Sequence, residues 1–403
     1  MYNMVMKILL VGGGSGGHLT PLLAVAASFK KLHPQAEMRL WTDKEATKGQ
    51  SVAGFSSVQK VLSGKYRRYQ QGGKRFIPWK DRLRNFRDLF LLAAGFVQSF
   101  FRLLFWRPNA IFLKGGFVSL PVGLAAAALR IPFIIHESDT HMGLTNKVLS
   151  RYAAVIALGL PQEGKSSEAR PSGSASPTER RENRRLSRVV GIPVASSWEQ
   201  ARLMSDTKAK KRLLEVVPEL KILAGPLVVV VGGSLGARHL NQVASSFKLP
   251  AQTVILAGPN AHPEFGKKHI TLSSLSLEQG LPELLRLADV VIARAGATTL
   301  TELAILGKPT IIVPKDVLPG GHQTSNAARL AAADAAVVIP EEQIDTDLQP
   351  AALRLLNNSA HRRRLARNIG ELSVTDASQK IAKLIGQVTE QKPNTKTKAK
   401  RGE

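Results

Sequence analysis

The stretch Lys7-Ile8-Leu9-Leu10-Val11-Gly12-Gly13-Gly14-Ser15-Gly16-Gly17-His18 decides the reading of this chain. The apolar run after Lys7 suits a strand covered on both faces. The glycines that follow let backbone amides approach an anion, which the positive end of the next helix stabilises. The same hand-over recurs twice. Leu227-Val228-Val229-Val230-Val231 runs into Gly232-Gly233-Ser234-Leu235-Gly236-Ala237, and Asp289-Val290-Val291-Ile292-Ala293 leads to Ala295-Gly296-Ala297-Thr298-Thr299. Three such turns, divided between the two halves, imply two similar nucleotide-binding-type lobes facing each other.

Outward from these turns the order strand, turn, helix repeats. Pro21 to Leu32 is the first expected helix, with Thr20 as its N-cap and Pro21 at its first position. Glu37 to Thr42, Ala110 to Leu113, Phe133 to His136 and Val155 to Ala157 read as strands, with helices at Pro121 to Ala128 and Leu144 to Arg151 between them. Further strands are expected at Thr253 to Ala257, Thr310 to Pro314 and Ala336 to Ile339. Such alternation implies α/β lobes with parallel, doubly wound sheets. The expected division is a Rossmann-like lobe over residues 1–160, a disordered excursion rich in Ser, Pro, Glu and Arg over 161–188, and a second Rossmann-like lobe over 189–370. A helix over 371–388 would pack back on the first lobe, with Gly370 as the hinge, and residues 389–403 would form a basic flexible tail.

At 403 residues the chain exceeds what one hydrophobic core comfortably supports. It has no cysteine, which removes disulfides, thiolate metal sites and cysteine nucleophiles together and fits a reducing compartment. Residues 1–6 lack the charged start and apolar stretch of a signal peptide, so the lobes are expected in the cytoplasm. The net charge of +26, from 56 Lys and Arg against 30 Asp and Glu, requires an acidic partner: nucleic acid, anionic lipid or a phosphorylated substrate. Nucleic acid is disfavoured, because the cations are scattered and aromatic residues make up only 5% of the chain, leaving few stacking platforms.

The segment Arg82 to Arg107 is the other unusual feature. Its run between Asp88 and Arg102 is apolar except for Gln98 and Ser99, and is shorter than the roughly 20 residues a spanning helix needs. Phe86, Phe90, Phe96, Phe100, Phe101 and Trp106, flanked by Arg82, Arg84, Arg87, Arg102 and Arg107, suit a helix lying in an anionic interface. A core-facing helix of the first lobe is the alternative, and one face must be that. Lys65, Arg67 and Arg68 precede the segment in a loop that could meet headgroups or acceptor phosphates, or be merely solvated.

No Walker lysine follows any glycine turn, so a phosphate-loop NTPase is excluded. A dinucleotide enzyme accounts for Gly12, Gly14 and Gly17 but leaves the third turn and the apolar segment unexplained. No metal ligation is expected, since no His or carboxylate pair has ligand spacing on one helix. A nucleotide-sugar transferase with two facing lobes does fit. Gly12 to His18, Gly115-Gly116-Phe117-Val118-Ser119-Leu120-Pro121, His136-Glu137-Ser138-Asp139 with Gly143-Leu144-Thr145-Asn146-Lys147, Gly232 to Arg238, Arg294 to Glu302, and His322-Gln323 with Asn326-Ala327 together resemble the MurG family of peptidoglycan N-acetylglucosaminyltransferases. These motifs cover most of residues 7–340 in the family's order.

The resemblance implies a GT-B fold, UDP-N-acetylglucosamine as donor and lipid I, undecaprenyl-pyrophosphoryl-N-acetylmuramyl-pentapeptide, as acceptor, with lipid II as product. It also implies inversion, no cofactor or metal, and a peripheral position on the cytoplasmic face of an anionic membrane, where other cell-wall enzymes are possible partners. By position, Gly233 and Ser234 would face the donor diphosphate, and Ala297, Thr298 and Thr299 the diphosphate or sugar. Glu302 would take the ribose hydroxyls and Gln323 the sugar hydroxyls, with Asn326 in support and Leu277-Glu278 near the uracil. Gly14, Ser15, Gly16 and Gly17 would hold the acceptor diphosphate. Ser15, Gly16, Gly17, His18 and Asp139 would also border the UDP-sugar, with Asp139 a possible acceptor-side contact. His18 and Glu137 are the catalytic candidates, with base and positioning roles not separated between them.

Each assignment has a plain structural alternative. Thr299-x-x-Glu302 has the form of a capping box, which needs no ligand. His18 could hydrogen-bond backbone in the first helical turn, His136 could be satisfied within the fold, and Gln323 could be solvated. Where the family shows Gly-Asn-Pro-Val-Arg, this chain has Gly191-Ile192-Pro193-Val194-Ala195, so a phosphate-binding arginine is missing unless Arg238 or Arg294 replaces it. Asp139 stands where some members have Asn. A diacylglycerol or other lipid glycosyltransferase and a non-catalytic membrane- or RNA-binding protein are the competing functions.

Overall fold

The computed structural model describes residues 5–13, 16–43, 52, 54–65, 79–160, 186–218, 220, 225–232, 237–258, 264–265, 269–273, 280–315 and 322–390. Gly14, Ser15, Gly233, Ser234, Arg67, Arg68, Leu277, Glu278, most of the 161–188 excursion and the tail from residue 391 lie outside the described residues.

Two seven-stranded sheets organise the chain. The first contains β1 (Lys7–Val11), β2 (Glu37–Thr42), β3 (Ser57–Lys60), β4 (Ala110–Leu113), β5 (Phe133–Glu137), β6 (Val155–Leu158) and β7 (Leu186–Val189). Their order is β3-β2-β1-β4-β5-β6-β7, with every pair parallel. The second contains β8 (Leu227–Val231), β9 (Gln252–Leu256), β10 (Glu264–Phe265), β11 (His269–Leu272), β12 (Val290–Ala293), β13 (Thr310–Ile312) and β14 (Val337–Val338). Its order is β10-β11-β9-β8-β12-β13-β14, parallel except for β10 against β11. Strands 186–189 belong to the first sheet, so the expected excursion ends three residues early and the first lobe's sheet runs on to Val189.

In each sheet the chain reverses its direction of winding once, between β1 and β4 and between β8 and β12. A crevice opens outside the carboxyl ends of strands at such a switch point, which is where ligands bind in open parallel sheets. Gly12 follows β1, Lys114 follows β4, Gly232 follows β8 and Arg294 follows β12, so all three glycine-rich turns fall at the two crevices. Apolar side chains cover both faces of each sheet, which is why these strands read as continuous rather than alternating runs.

The helix Ala377–Glu390 buries Ile381, Ala382, Leu384, Ile385 and Val388 in the core of the first lobe, beside the helix Gly16–Leu32. Gly370 lies within the helix Ser359–Glu371, so the return is made by the residues after that helix and not at Gly370. Val374 in this crossing sits against Gly191. At φ +88° Gly191 favours glycine, and a Cβ there would lie 2.6 Å from Val374 Cγ1.

The apolar segment is one 28-residue helix, Trp79–Trp106, long and apolar enough to cross a membrane by length and composition, which corrects the shorter reading. One face is nevertheless committed to the lobe: Asp81, Asp88, Gly95, Ser99, Leu103 and Trp106 recur at helical spacing and are buried. Loop 61–65 lies along this face. Gln98 accepts from Leu62 N at 2.9 Å, Asp88 accepts from Lys65 N at 3.2 Å, and a Cβ on Gly95 would collide with the Leu62 carbonyl. The opposite face leaves Phe86, Phe90 and Phe101 exposed, together with Trp79, Leu83, Leu89 and Phe105, the last at 84%. Phe96 and Phe100 are half-buried against the core. Trp106 is a correction: it is buried, its indole donates to Glu37 Oε1 at 3.1 Å, and it cannot insert into lipid.

Candidate active site

On the first lobe the helix begins at Gly16, four residues before the expected cap, and Pro21 therefore lies inside it. Having no N–H, Pro21 leaves the Gly17 carbonyl without its intrahelical donor. Thr298 of the second lobe supplies one, its Oγ1 donating to Gly17 O at 3.4 Å. The turn is tight beneath this point: a Cβ on Gly12 would lie 3.1 Å from Lys114 Cβ, and one on Gly13 2.8 Å from Asp43 Oδ1.

His18 is half-buried in the first turn of that helix, and its Nδ1 is buried without a hydrogen-bond partner. Burial, reinforced by the Lys114 charge, lowers its pKa to about 4, so the imidazole is neutral at pH 7. A neutral ring can accept a proton, and this is the first requirement of a base. Glu137, the other candidate, is held by three hydrogen bonds. Its Oε1 accepts from Asp139 N at 3.2 Å, and its Oε2 accepts from Gly143 N at 2.9 Å and from Asn146 Nδ2 at 2.9 Å. With both oxygens engaged, Glu137 ties residues 139–146 back to the end of β5 and folds that segment over the crevice. His136 is buried beside it, its Nε2–H donating to Gly191 O at 3.0 Å, and burial holds its pKa well below the usual value.

Lys114 was not among the sequence candidates. It is 2% exposed, its ammonium donates to Ser138 Oγ, and burial lowers its pKa to about 8 against the opposing charges of Glu137 and Asp139. A lysine placed directly after the apolar run of β4, at a switch point, was the available signal.

On the second lobe Gly296 is the N-cap of the helix Ala297–Leu306, and no side chain caps it. The capping-box reading of Thr299 and Glu302 therefore fails, because Thr299 sits within the helix. Glu302 is 9% exposed, and burial alone raises its carboxyl pKa to about 8. Among the described residues no ion pair or hydrogen bond joins it. Asn326 bridges the elements nearby, donating to Ala295 O at 3.1 Å and to Asp139 Oδ1 of the first lobe at 3.4 Å. Asp139 Oδ2 is also 3.8 Å from His322 Nδ1. Gln323 Oε1 accepts from Lys315 N at 3.0 Å, which leaves its amide donors for another partner. Arg294 cannot replace the arginine missing at Ala195, because its buried guanidinium is held by both oxygens of Glu341 and reaches the Val313 carbonyl. Arg238, by contrast, is exposed at the first position of the helix that follows the second glycine turn.

The structure thus brings Gly17 and Asp139 of the first lobe against Thr298, His322 and Asn326 of the second, across a shared crevice. Glu302 lies on the helix that carries Thr298, and Gln323 on the helix that carries Asn326.

Residues 8–158 match the glycosyltransferase family 28 N-terminal domain and residues 227–398 the family 28 C-terminal domain. A UDP-N-acetylglucosamine--N-acetylmuramyl-(pentapeptide) pyrophosphoryl-undecaprenol N-acetylglucosamine transferase of Listeria monocytogenes serotype 4b is 30% identical over 400 residues, covering 94% of this chain and 99% of its own. The same transferase of Bacillus pumilus is 29% identical, covering 95% and 100%. The crystal structure of Acinetobacter baumannii MurG, 21% identical, superposes with a TM-score of 0.64 over 95% of this chain and 99% of its own, and establishes the same two-lobed GT-B fold. This chain is a member of the MurG family of N-acetylglucosamine transferases, built from the two domains of glycosyltransferase family 28.

Proposed function

We propose that this chain transfers N-acetylglucosamine, with inversion, from UDP-N-acetylglucosamine to the 4-hydroxyl of the N-acetylmuramyl sugar of lipid I, forming lipid II. One observation carries the reading: the two lobes meet across a crevice, Thr298 on Gly17 and Asn326 on Asp139, with His18 in the first helical turn on one side and, on the other, the buried Glu302 carboxyl, which has no partner among the described residues.

In this reading the second lobe holds the donor. The Glu302 carboxyl takes the ribose hydroxyls, whose donors supply what burial denies it. The Gln323 amide reaches the sugar. The N-terminus of the helix Ala297–Leu306, with the Gly233-Ser234 turn, faces the diphosphate and stabilises the charge that gathers as UDP leaves, so the reading calls for no metal or cofactor. The first lobe presents the acceptor, its pyrophosphate at the Gly14–Gly17 turn. His18 takes the proton of the attacking hydroxyl, and Asp139 borders the junction of the two sugars. Closure of the lobes excludes water, which would otherwise hydrolyse the donor.

The exposed face of the helix Trp79–Trp106 rests on the cytoplasmic surface of the membrane, Phe86, Phe90 and Phe101 among the acyl chains and the neighbouring arginines among anionic headgroups. The paired change Phe90→Glu and Phe101→Glu is expected to abolish sedimentation with phosphatidylglycerol vesicles while sparing transfer to a water-soluble acceptor. The decisive experiment is transfer of labelled sugar from UDP-N-acetylglucosamine to a lipid I analogue and, in parallel, to diacylglycerol. Lipid I transfer that falls at least 100-fold in His18→Ala and in Glu302→Ala supports the reading. Transfer to diacylglycerol alone, or undiminished activity in His18→Ala, overturns it.

A further inference from the structure

Among the described residues, Lys114 is the buried lysine or arginine on the acceptor side. Its side chain lies where β4 meets Gly115 and Gly116, whose φ values of +93° and +75° turn the chain sharply away from the sheet. An ammonium carries three donors and no acceptor. Among the described residues the only hydrogen bond of Lys114 Nζ is to Ser138 Oγ. The two carboxylates nearest it in sequence and charge are already engaged, Glu137 by three N–H donors and Asp139 by Asn326 of the opposite lobe. Among the described residues no ion pair fixes Lys114 itself.

The direction of the one bond it makes matters. Because Lys114 can only donate, Ser138 Oγ accepts, and the serine's own proton is left to donate elsewhere. Ser138 is half-buried on the segment that Glu137 folds over the crevice, so its hydroxyl is the polar group through which the buried charge can be felt. A hydroxyl that accepts from an ammonium is a stronger donor than a free one, and its natural complement is an anionic oxygen. Beside it, the turn after β1 and the N-terminus of the helix Gly16–Leu32 favour the same kind of ligand.

We propose that Lys114 is a positioning residue for the acceptor, acting through the Ser138 hydroxyl that it holds and polarises, and that the group so recognised is a phosphate of the acceptor's pyrophosphate. The inference rests on the reading of lipid I as acceptor and adds to it the residues that select a charged linkage over a neutral one.

The test compares two acceptors carrying the same sugar and peptide, one linked to a short prenyl chain through pyrophosphate and one through a neutral alkyl ether. Ser138→Ala and Lys114→Met are expected to raise KM for the pyrophosphate acceptor about tenfold, with kcat and the KM for UDP-N-acetylglucosamine within twofold of the parent. The neutral acceptor should lose less than twofold in kcat/KM, and Ser138→Thr, which keeps the hydroxyl, should restore the parent KM. Inorganic pyrophosphate, used as a competitor, should bind the two defective variants about tenfold more weakly. Should Lys114→Met not fold, Ser138→Ala, which leaves the buried charge in place, decides alone. Equal losses on both acceptors would assign the pair a merely structural role. A rise in the donor KM instead would assign the cation to UDP, and either result overturns the proposal. A parent protein that transfers to neither acceptor would instead refute the function proposed above.

Discussion

Among the described residues, the groups beneath the crevice of the first lobe that burial pushes toward neutrality are bases, His18, Lys114 and His136, whereas beneath that of the second the group so pushed is an acid, Glu302. The two sheets share their winding and place their glycine turns alike, so the backbone does not cause the difference. In all four residues burial is the largest cause of the shift, and each is pushed toward its neutral form. Residual positive charge from Lys114 marks the first crevice for an anion, while an unpartnered carboxyl marks the second for hydroxyl donors. Ligand class thus follows the buried group that each crevice leaves short of partners among the described residues, Lys114 in one and Glu302 in the other, while Glu137 and Arg294 are held by hydrogen bonds.

The sharpest way to break this contrast is to remove the acid. Glu302→Ala should weaken UDP-N-acetylglucosamine about 100-fold by calorimetry, the scale of losing two hydrogen bonds between neutral groups. Because the carboxyl is buried without a partner, the same change should leave the thermal midpoint unchanged or higher. A lower midpoint with intact donor binding would mean that Glu302 serves the fold.

The opposite charges also predict opposite pH dependences of stability. His18 and His136 have depressed pKa values, so their contribution is whole above about pH 6.5 and is lost as pH falls toward their folded values. Glu302 has a raised pKa, so its contribution is whole below about pH 4.5 and is lost as pH rises toward 8. Together these groups place a stability maximum near pH 6.5, with a decline of about 2 kcal/mol by pH 8 that belongs to Glu302 alone. Urea denaturation should show that decline in the parent and not in Glu302→Gln. An unchanged alkaline decline would dissolve the contrast between the lobes.

How much of this was legible in the sequence depended on how completely each segment is covered. β1, β4, β8 and β12 are central strands whose apolar runs are continuous, and they were readable to within a residue or two. β3, β7, β10 and β11 lie at or near sheet edges, and segments such as Ser57-Val58-Gln59-Lys60 alternate half-buried and exposed residues that look like loop. The first helix was placed to start at Pro21 because proline favours a first position, but the glycines before it were recruited into the helix and left a carbonyl for the other lobe. The glycine turns, Glu302, Gln323 and His18 stood out by motif. Lys114 did not, since its burial depends on residues 137–139 arriving from a separate strand, and the three donors that occupy Glu137 appear only when residues 139–146 wrap back.

The scarcity of cations on the donor side gives a gain-of-function test. Ala195 is half-buried at the N-cap of the helix Ser196–Leu203, and Arg294 is tied to Glu341. Ala195→Arg should therefore tighten UDP binding by up to about tenfold, the worth of one charge-assisted contact. No gain would place the phosphates against Arg238, and Arg238→Ala should then weaken UDP by a similar factor.

The smallest expected effect concerns the seam between the lobes. Thr298 donates to a carbonyl that is free only because Pro21 lacks an N–H, so the seam depends on a defect in the helix of the other lobe. At 3.4 Å and with solvent able to compete, the bond contributes no more than about 1 kcal/mol. Thr298→Val, which keeps the shape and removes the hydroxyl, should raise both KM values twofold to threefold together, because closure is common to donor and acceptor. Pro21→Ala restores the intrahelical N–H to the Gly17 carbonyl and should produce the same paired rise without touching Thr298. In the double variant the two effects should not add, since each removes the same bond. An additive result would show that Thr298 acts on the donor directly, and the polarity of the two lobes would then extend to the seam itself.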